Sequence, residues 1–91
     1  MNKTRRNILS KKVTELETLK SQLEDIKSEI EDVHSEEEDA FDALPESIQD
    51  GERGYCMQSN IDDLDDAFNN LDDIISNIGD VVDTLNEVIE R

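Results

Sequence analysis

The sequence is short of the residues that usually build catalytic sites and large hydrophobic cores. It has 91 residues, with 3% aromatics, one Cys, one Pro, one His, three Gly and no Trp. A single Cys excludes an internal disulfide and suits a reducing compartment such as the cytoplasm. Because only 34% of the residues are hydrophobic, a chain of this length cannot bury a large core and must rely on regular packing or on a partner.

Other absences narrow the class of function. No apolar run approaches the roughly 18 residues of a membrane span, and none follows the basic N-terminus, so neither a membrane anchor nor a signal peptide is expected. No zinc cluster, phosphate-binding loop or Ser-His-Asp set is recognisable. We therefore expect a cytoplasmic protein that is not an enzyme and needs no cofactor.

Charge is abundant and almost all of one sign. The formal net charge is −16, but residues 1–12 hold five of the nine bases and no acid. Residues 13–91 hold all 25 acids against four bases, a net of −21. Such a body should repel nucleic acid and anionic membranes and attract basic surfaces, while residues 1–12 form a separate basic segment.

Apolar residues recur every seven positions in both halves of the chain. In the first half, the two rows are Leu9, Leu16, Leu23, Ile30 and Leu19, Ile26, Val33. In the second half, they are Ile61, Phe68, Ile75, Val82, Ile89 and Leu64, Leu71, Ile78, Leu85. Two such rows occupy the a and d positions of a coiled-coil seam, so we predict helices over residues 7–43 and 59–90.

Residues 44–58, between the predicted helices, carry the helix-breaking residues. Pro45 is disfavoured inside a helix and can instead start a short helical turn. Asp50-Gly51 is a turn pair, and Gly54 allows a further reversal of the chain. We therefore predict that residues 44–58 form a turn.

The two seams match when the chain folds back on itself at this turn. Nine facing layers then form without a stutter, among them Leu44 with Ile61, Glu37 with Phe68, Ile30 with Ile75, and Leu16 with Ile89. The predicted fold class is all-α: an antiparallel, coiled-coil-like two-helix hairpin over residues 13–91. Residues 1–12 have no facing partner and overhang the hairpin.

One seam position is charged, which suggests how the loop is held. Glu37 would lie opposite Phe68, where an ionised carboxylate is unfavourable unless it is paired. Arg53 is the only Lys or Arg between residues 29 and 90, so one interpretation is a Glu37–Arg53 ion pair that anchors the loop. The alternative is that the seam opens near the turn and Glu37 is hydrated.

A possible metal-binding pattern occurs once in the predicted first helix. Glu31 and His34 form an E-x-x-H match, which supplies iron ligands in some helical bundles. Both residues flank the predicted seam instead of entering it. A solvated helix face is therefore the interpretation we favour, and no metal is expected.

Paired acids run along the second helix outside its seam, at Asp62, Asp63, Asp65, Asp66, Asp72 and Asp73. Asp is a poor helix former, so its repeated use in a helix suggests a role. Carboxylates spaced along a rigid rod can imitate a nucleic-acid backbone and bind a basic surface. A merely solvated face, or adaptation to salt, is the alternative.

The second helix also carries a third apolar row beside its seam, formed by Ala67, Ile74, Val81 and Val88. The corresponding row of the first helix is mostly polar, so a lone hairpin has nothing to cover this third row. An apolar face of this width is typical of bundle helices. We therefore predict a homodimer, a four-helix bundle with these rows in contact across a two-fold axis.

Residues 36–49, EEEDAFDALPESIQ, followed by Arg53 and Leu64-x-x-Ala67, resemble a group of short helical proteins of Gram-positive bacteria and their phages. Those proteins have a helix ending in an acidic segment, then Pro-Glu-x-x-Gln, a short loop and a second amphipathic helix. The resemblance implies a helical hairpin and a mobile-element setting, but no activity. Its marked positions here are Glu37, Ala40, Pro45, Glu46, Gln49 and Arg53.

Three functions are consistent with these patterns. The first is an interaction protein whose acidic body binds a basic surface of another macromolecule, as a phage-borne inhibitor or nucleic-acid mimic. The second is a structural dimerisation or assembly module in which acidity serves solubility. The third, which we do not favour, is a carboxylate-bridged metal protein. Salt separates the first two, because it weakens contacts to a basic partner and screens repulsion between acidic copies.

Overall fold

The chain consists of three helices and no strands in a computed structural model that describes all 91 residues. The helices are α1 (Lys3–Asp42), α2 (Glu46–Gln49) and α3 (Glu52–Glu90). The molecule measures 68 × 15 × 13 Å, so it is an extended rod only slightly longer than the roughly 60 Å of a 40-residue helix. The predicted all-α class is confirmed.

α1 is longer than predicted because its N-terminus is capped. It begins at Lys3 instead of residue 7, and Asn2 is the N-cap residue. The side-chain oxygen of Asn2 accepts a hydrogen bond from the backbone N–H of Arg5 at 2.9 Å, which satisfies a donor that has no partner within the helix. Most of the basic overhang is therefore helical and continuous with the rest of α1.

The connection between α1 and α3 is shorter than predicted. Pro45 is the N-cap residue of α2, with a φ of −57°, close to the value that the proline ring imposes. At the start of a helix the missing N–H of proline removes no hydrogen bond of the helix. Gly51 is the N-cap of α3. The predicted turn over residues 44–58 is therefore wrong in its second half, because residues 52–58 are helical.

Gly54 serves close packing and not chain reversal. It lies inside α3, is buried, and has no positive φ. A Cβ built on Gly54 would overlap the backbone carbonyl of Gln49, so only glycine allows α2 to lie this close to the first turn of α3. The side chain of Gln49 in turn donates a hydrogen bond to the carbonyl oxygen of Phe41 at 3.0 Å, which ties α2 to α1.

α1 and α3 contact each other in opposite directions. Three contacts in chain order show this: Lys27 with Asp72, His34 with Phe68, and Glu37 with Asn60. Residue numbers rise along α1 while they fall along α3. The buried side chains are Val13 on α1 and Ile61, Ile75 and Val82 on α3, so the shared core is a single narrow strip.

The predicted register between the helices is wrong, because the contacts between α1 and α3 lie three or more residues closer to the loop on α3. The residue that meets Phe68 is His34, with ring centroids 5.1 Å apart, and not Glu37. α1 is also turned about its axis relative to the prediction. The predicted d-row residues Leu19, Ile26 and Val33 are 50%, 47% and 51% exposed. The row that faces α3 instead, beside the a row, is Val13, Lys20, Lys27, His34 and Phe41.

In this rotation, polar groups of α1 lie within reach of carboxylates on α3. Lys27 reaches Asp72, and His34 lies near Asp65. A lysine stem covers apolar surface while its ammonium stays at the edge of the contact, so Lys can occupy a seam position in an acidic rod. A pattern that counts only apolar residues selects the Leu19 row instead.

Gly54 and Gly79 offer a matched test of the packing around α2. Gly54→Ala should destabilise the fold by about 2 kcal/mol or more, because the added methyl overlaps backbone. Gly79→Ala should stabilise it by up to about 1 kcal/mol, because alanine is the better helix former. A Cβ on Gly79 meets only the flexible Lys20 ammonium, at 3.5 Å. Thermal unfolding followed by circular dichroism measures both; equal shifts would contradict the close approach at Gly54.

Candidate functional site

One side of the contact between α1 and α3 is polar and centres on Lys27. Its ammonium lies 2.9 Å from Oδ1 of Asp72 on α3 and 3.3 Å from Oε1 of Glu31 on its own helix. The hydrogen bond to Asp72 is the main cause of a raised pKa for Lys27, partial burial opposes it, and the interaction with Glu31 adds to it. This group joins the two helices near the middle of the rod.

His34 continues the polar side toward the loop. Its ring meets Phe68 edge-on, and its side chain is only 14% exposed. Nε2 of His34 lies 3.3 Å from Glu38 and 4.0 Å from Asp65. His34 therefore lies within the helix contact, contrary to the prediction that it only flanks the seam.

The two residues of the E-x-x-H pattern do not converge. Glu31 is paired with Lys27, whereas His34 interacts with Glu38, so the pattern does not form a common ligand set. No group of three or more His, Cys, Asp or Glu side chains is placed to hold a metal ion. These side chains instead link one helix to the other.

The loop is not held by the predicted Glu37–Arg53 ion pair. Glu37 is half-buried and accepts a hydrogen bond from Nδ2 of Asn60 at 3.0 Å. Arg53 is exposed and forms no ion pair. Of the other predicted anchor residues, Pro45 and Glu46 begin α2, and Gln49 supplies the bond to α1.

The side of the contact opposite to Lys27 is apolar. On α1, the row of Lys27 lies on one side of the central row that contains Ile30, and the row of Ile26 lies on the other. On α3, the row of Asp72 is likewise separated by the central row from the rows of Leu71 and Ile74. Lys27 meets Asp72 on one side of the contact. The row of Ile26 on α1 and the rows of Leu71 and Ile74 on α3 therefore lie together on the other side.

A shallow groove confirms that these rows share one side of the molecule. It has a volume of about 320 Å³ and is lined by Ile26, Glu29, Ile30 and Val33 from α1 and by Leu64 from α3. Beside it on α3, Ile74 and Val81 are 47% and 48% exposed. We call the set Leu19, Ile26, Val33, Ala67, Ile74 and Val81 the apolar face.

The apolar face is wider than the predicted third row. Of that row, Ala67, Ile74 and Val81 are exposed and Val88 is half-buried. The expectation that the first helix has nothing to match them is wrong, because Leu19, Ile26 and Val33 lie on the same side. The prediction from apolar residues does not use the positions of the bases. In this acidic chain Lys20 and Lys27 are seven residues apart, the spacing of a seam row, which indicates that their row faces α3.

The six aspartates of the predicted acidic surface fall into two groups. Asp72 and Asp65 lie beside Lys27 and His34 on the polar side of the contact. The others are exposed and form no ion pair: Asp62, Asp63, Asp66 and Asp73. The second group thus presents carboxylates without an ion-pair partner to the outside.

Comparison of the chain with protein-family models, with curated proteins and with solved structures finds no match. No helix of the structure combines the length and the apolar character that crossing a membrane requires. The two sides of the helix contact, one polar and one apolar, are therefore the features from which a function can be inferred.

Lys27→Met tests the polar side through the pH dependence of stability. The raised pKa in the folded state means that the charged form of Lys27 stabilises the fold below the ordinary lysine pKa of about 10.4. This contribution is lost as the pH rises through the folded-state pKa. Wild type should therefore melt above Lys27→Met at pH 8, and the difference should shrink by pH 12. A constant difference across this range would contradict the role of the charge.

Gln49→Ala and Arg53→Ala test how the loop is held. Gln49→Ala should cost about 1 kcal/mol, because it removes a partly buried hydrogen bond to the carbonyl oxygen of Phe41. Arg53→Ala should change the free energy of unfolding by less than about 0.5 kcal/mol, because an exposed side chain without a partner contributes little. Urea unfolding of both variants measures the difference. A larger loss of unfolding free energy for Arg53→Ala than for Gln49→Ala would support an ion pair of Arg53 as the anchor of the loop.

Proposed function

We propose that the chain is a helical hairpin with a non-enzymatic role in assembly, and that two copies pair through the apolar face as a four-helix bundle. The observation that carries the proposal is the exposure of five large apolar side chains on one side of the rod: Leu19, Ile26, Val33, Ile74 and Val81. Single exposed apolar residues are ordinary, but a contiguous face that spans two helices is typical of an interface.

The free energy available from covering the apolar face is sufficient for association. Burying the exposed half of a large aliphatic side chain contributes roughly 1 kcal/mol, so five contribute about 5 kcal/mol per copy and about 10 kcal/mol per dimer. Association costs about 4–15 kcal/mol in lost freedom. At the lower end of that cost, about 6 kcal/mol remains in favour of association, so we expect a weak dimer that dissociates in the range of tens of micromolar.

A second copy fits the apolar face well. The face follows helix rows on both α1 and α3, so two copies can pack row against row in a bundle. Of the unpaired aspartates, Asp66 and Asp73 lie on a row of α3 away from the apolar face, whereas Asp63 lies at its edge, one turn before Ala67. The one acid beside the groove is Glu29, which lies at its edge and can keep its carboxylate in water.

The second candidate function is capture of a basic surface on another macromolecule. It is supported by the four exposed aspartates without an ion-pair partner, which lie along α3 in a body of net charge −21. A nucleic-acid mimic or a phage-borne inhibitor would act in this way. Added salt weakens such a contact, whereas it favours pairing of two acidic copies by screening their repulsion.

Substitution within the apolar face tests the proposed dimer. Wild type should sediment as a dimer at tens of micromolar, more completely at about 0.5 M salt than at about 0.02 M. The double variant Ile26→Gln, Val81→Gln should be monomeric with unchanged helix content, because both side chains already face solvent within one chain.

The matched control for this test is Tyr55→Gln. Tyr55 is 67% exposed near the start of α3 and lies outside the apolar face, so the control should remain dimeric. A wild-type monomer at both salt concentrations would contradict the proposal. Equal weakening by the control and the double variant would show that the apolar face is not the contact.

A further inference from the structure

We propose that the two copies of the dimer lie antiparallel, with the basic segment of one copy, residues 1–12, beside the acidic loop end of the other. The loop end is defined as residues 36–66, which contain twelve acids and one base. This inference rests on the proposed dimer and adds to it an orientation and a second contact surface. The observations behind it are the positions of charge along the rod and the position of the apolar face between them.

The basic segment and the loop end lie at opposite ends of the rod. The segment forms the start of α1, whereas the loop end comprises the end of α1, α2 and the start of α3. Within one chain the segment has almost no partner: its one ion pair joins Lys12 to Glu15 at 3.2 Å, and both side chains are more than half exposed. The other four bases, Lys3, Arg5, Arg6 and Lys11, have no ion-pair partner and are therefore available to another surface.

The apolar face lies midway between these two ends. Its α1 row runs from Leu19 to Val33, so its centre is at the level of Ile26. A two-fold axis perpendicular to the rod at this level superimposes positions of the two copies that lie equally far from Ile26 along α1 in opposite directions. The level of Lys12 in one copy then coincides with that of residue 40 in the other, and the level of Arg6 coincides with that of residue 46.

Charge distinguishes the two ways in which apolar faces can meet. If both loops lay at the same end, the two basic segments would adjoin each other, and so would the two loop ends, so like charges would meet at both ends. The antiparallel arrangement brings the basic segment of each copy toward the loop end of its partner, where Glu36 borders the apolar face at Val33. Complementary charge of this kind selects orientation more than it adds affinity.

The native Cys56 provides a direct measurement of orientation. It is the only cysteine, it is exposed, and it lies at the loop end, outside the apolar face. Its level on the rod is about 20 residues, or roughly 30 Å, from the central axis at the helical rise per residue. Antiparallel copies therefore place two spin labels on Cys56 about 60 Å apart.

The experiment is double electron–electron resonance on the labelled full chain at a concentration where sedimentation shows a dimer. A distance distribution centred near 60 Å supports the antiparallel arrangement. A distribution below about 30 Å, which is the width of two rods side by side, overturns it while the dimer stands. A chain that sediments as a monomer contradicts the proposed function itself, so the two failures are distinct.

Carbodiimide crosslinking of mixed ¹⁴N and ¹⁵N chains tests the contact between the basic segment and the loop end. Crosslinks between the two isotopic forms should join Lys11 or Lys12 to acids of residues 36–46. Lys27 is the internal control, because it lies near the centre of the rod and should not reach those acids in the other copy. Intermolecular crosslinks between residues 36–46 and Lys27 instead of the basic segment would overturn the contact.

Discussion

The pairing of Lys27 with Asp72 is the interaction on which the arrangement of α1 depends. An acidic rod has few bases, and the two that recur at seam spacing lie where α1 meets α3, so charged groups as well as apolar residues line the contact between the helices. This rotation also brings the rings of His34 and Phe68 together. Its consequence is that Leu19, Ile26 and Val33 are left outside. The polar side and the apolar face thus both follow from this one rotation of α1.

Much of the helical organisation could be predicted from the sequence, because a seven-residue apolar repeat has few alternatives in structure. The side of α1 that faces α3 could not be predicted from apolar residues alone. A hydrophobic pattern ranks Ile26 above Lys27 as a seam residue, yet the stem of Lys27 is itself apolar and its charge has a partner on the other helix. Which row of α1 faces α3 depends on residues of both helices, so the apolar pattern of one helix alone does not determine it.

The loop shows the same limit in another form. Gly54 indicates a reversal when only backbone freedom is considered, but its position in the structure is explained by the carbonyl of Gln49, where no Cβ fits. Glu37 is satisfied by the amide of Asn60, although the sequence pattern points to the charge of Arg53. The loop is therefore held by shape and by hydrogen bonds to neutral groups. These are less sensitive to ionic strength than an ion pair would be.

The elongated form of the chain has a consequence for its hydrodynamic behaviour. Its radius of gyration is 20.3 Å, whereas a compact chain of the same length would have one of about 12 Å. A compact protein with the larger value would contain roughly 350 residues. A single copy therefore elutes from a gel-filtration column calibrated with globular standards at an apparent mass clearly above its own. The elution volume depends on the elongated shape of the chain, so the number of chains in an assembly has to be determined from a direct measurement of mass.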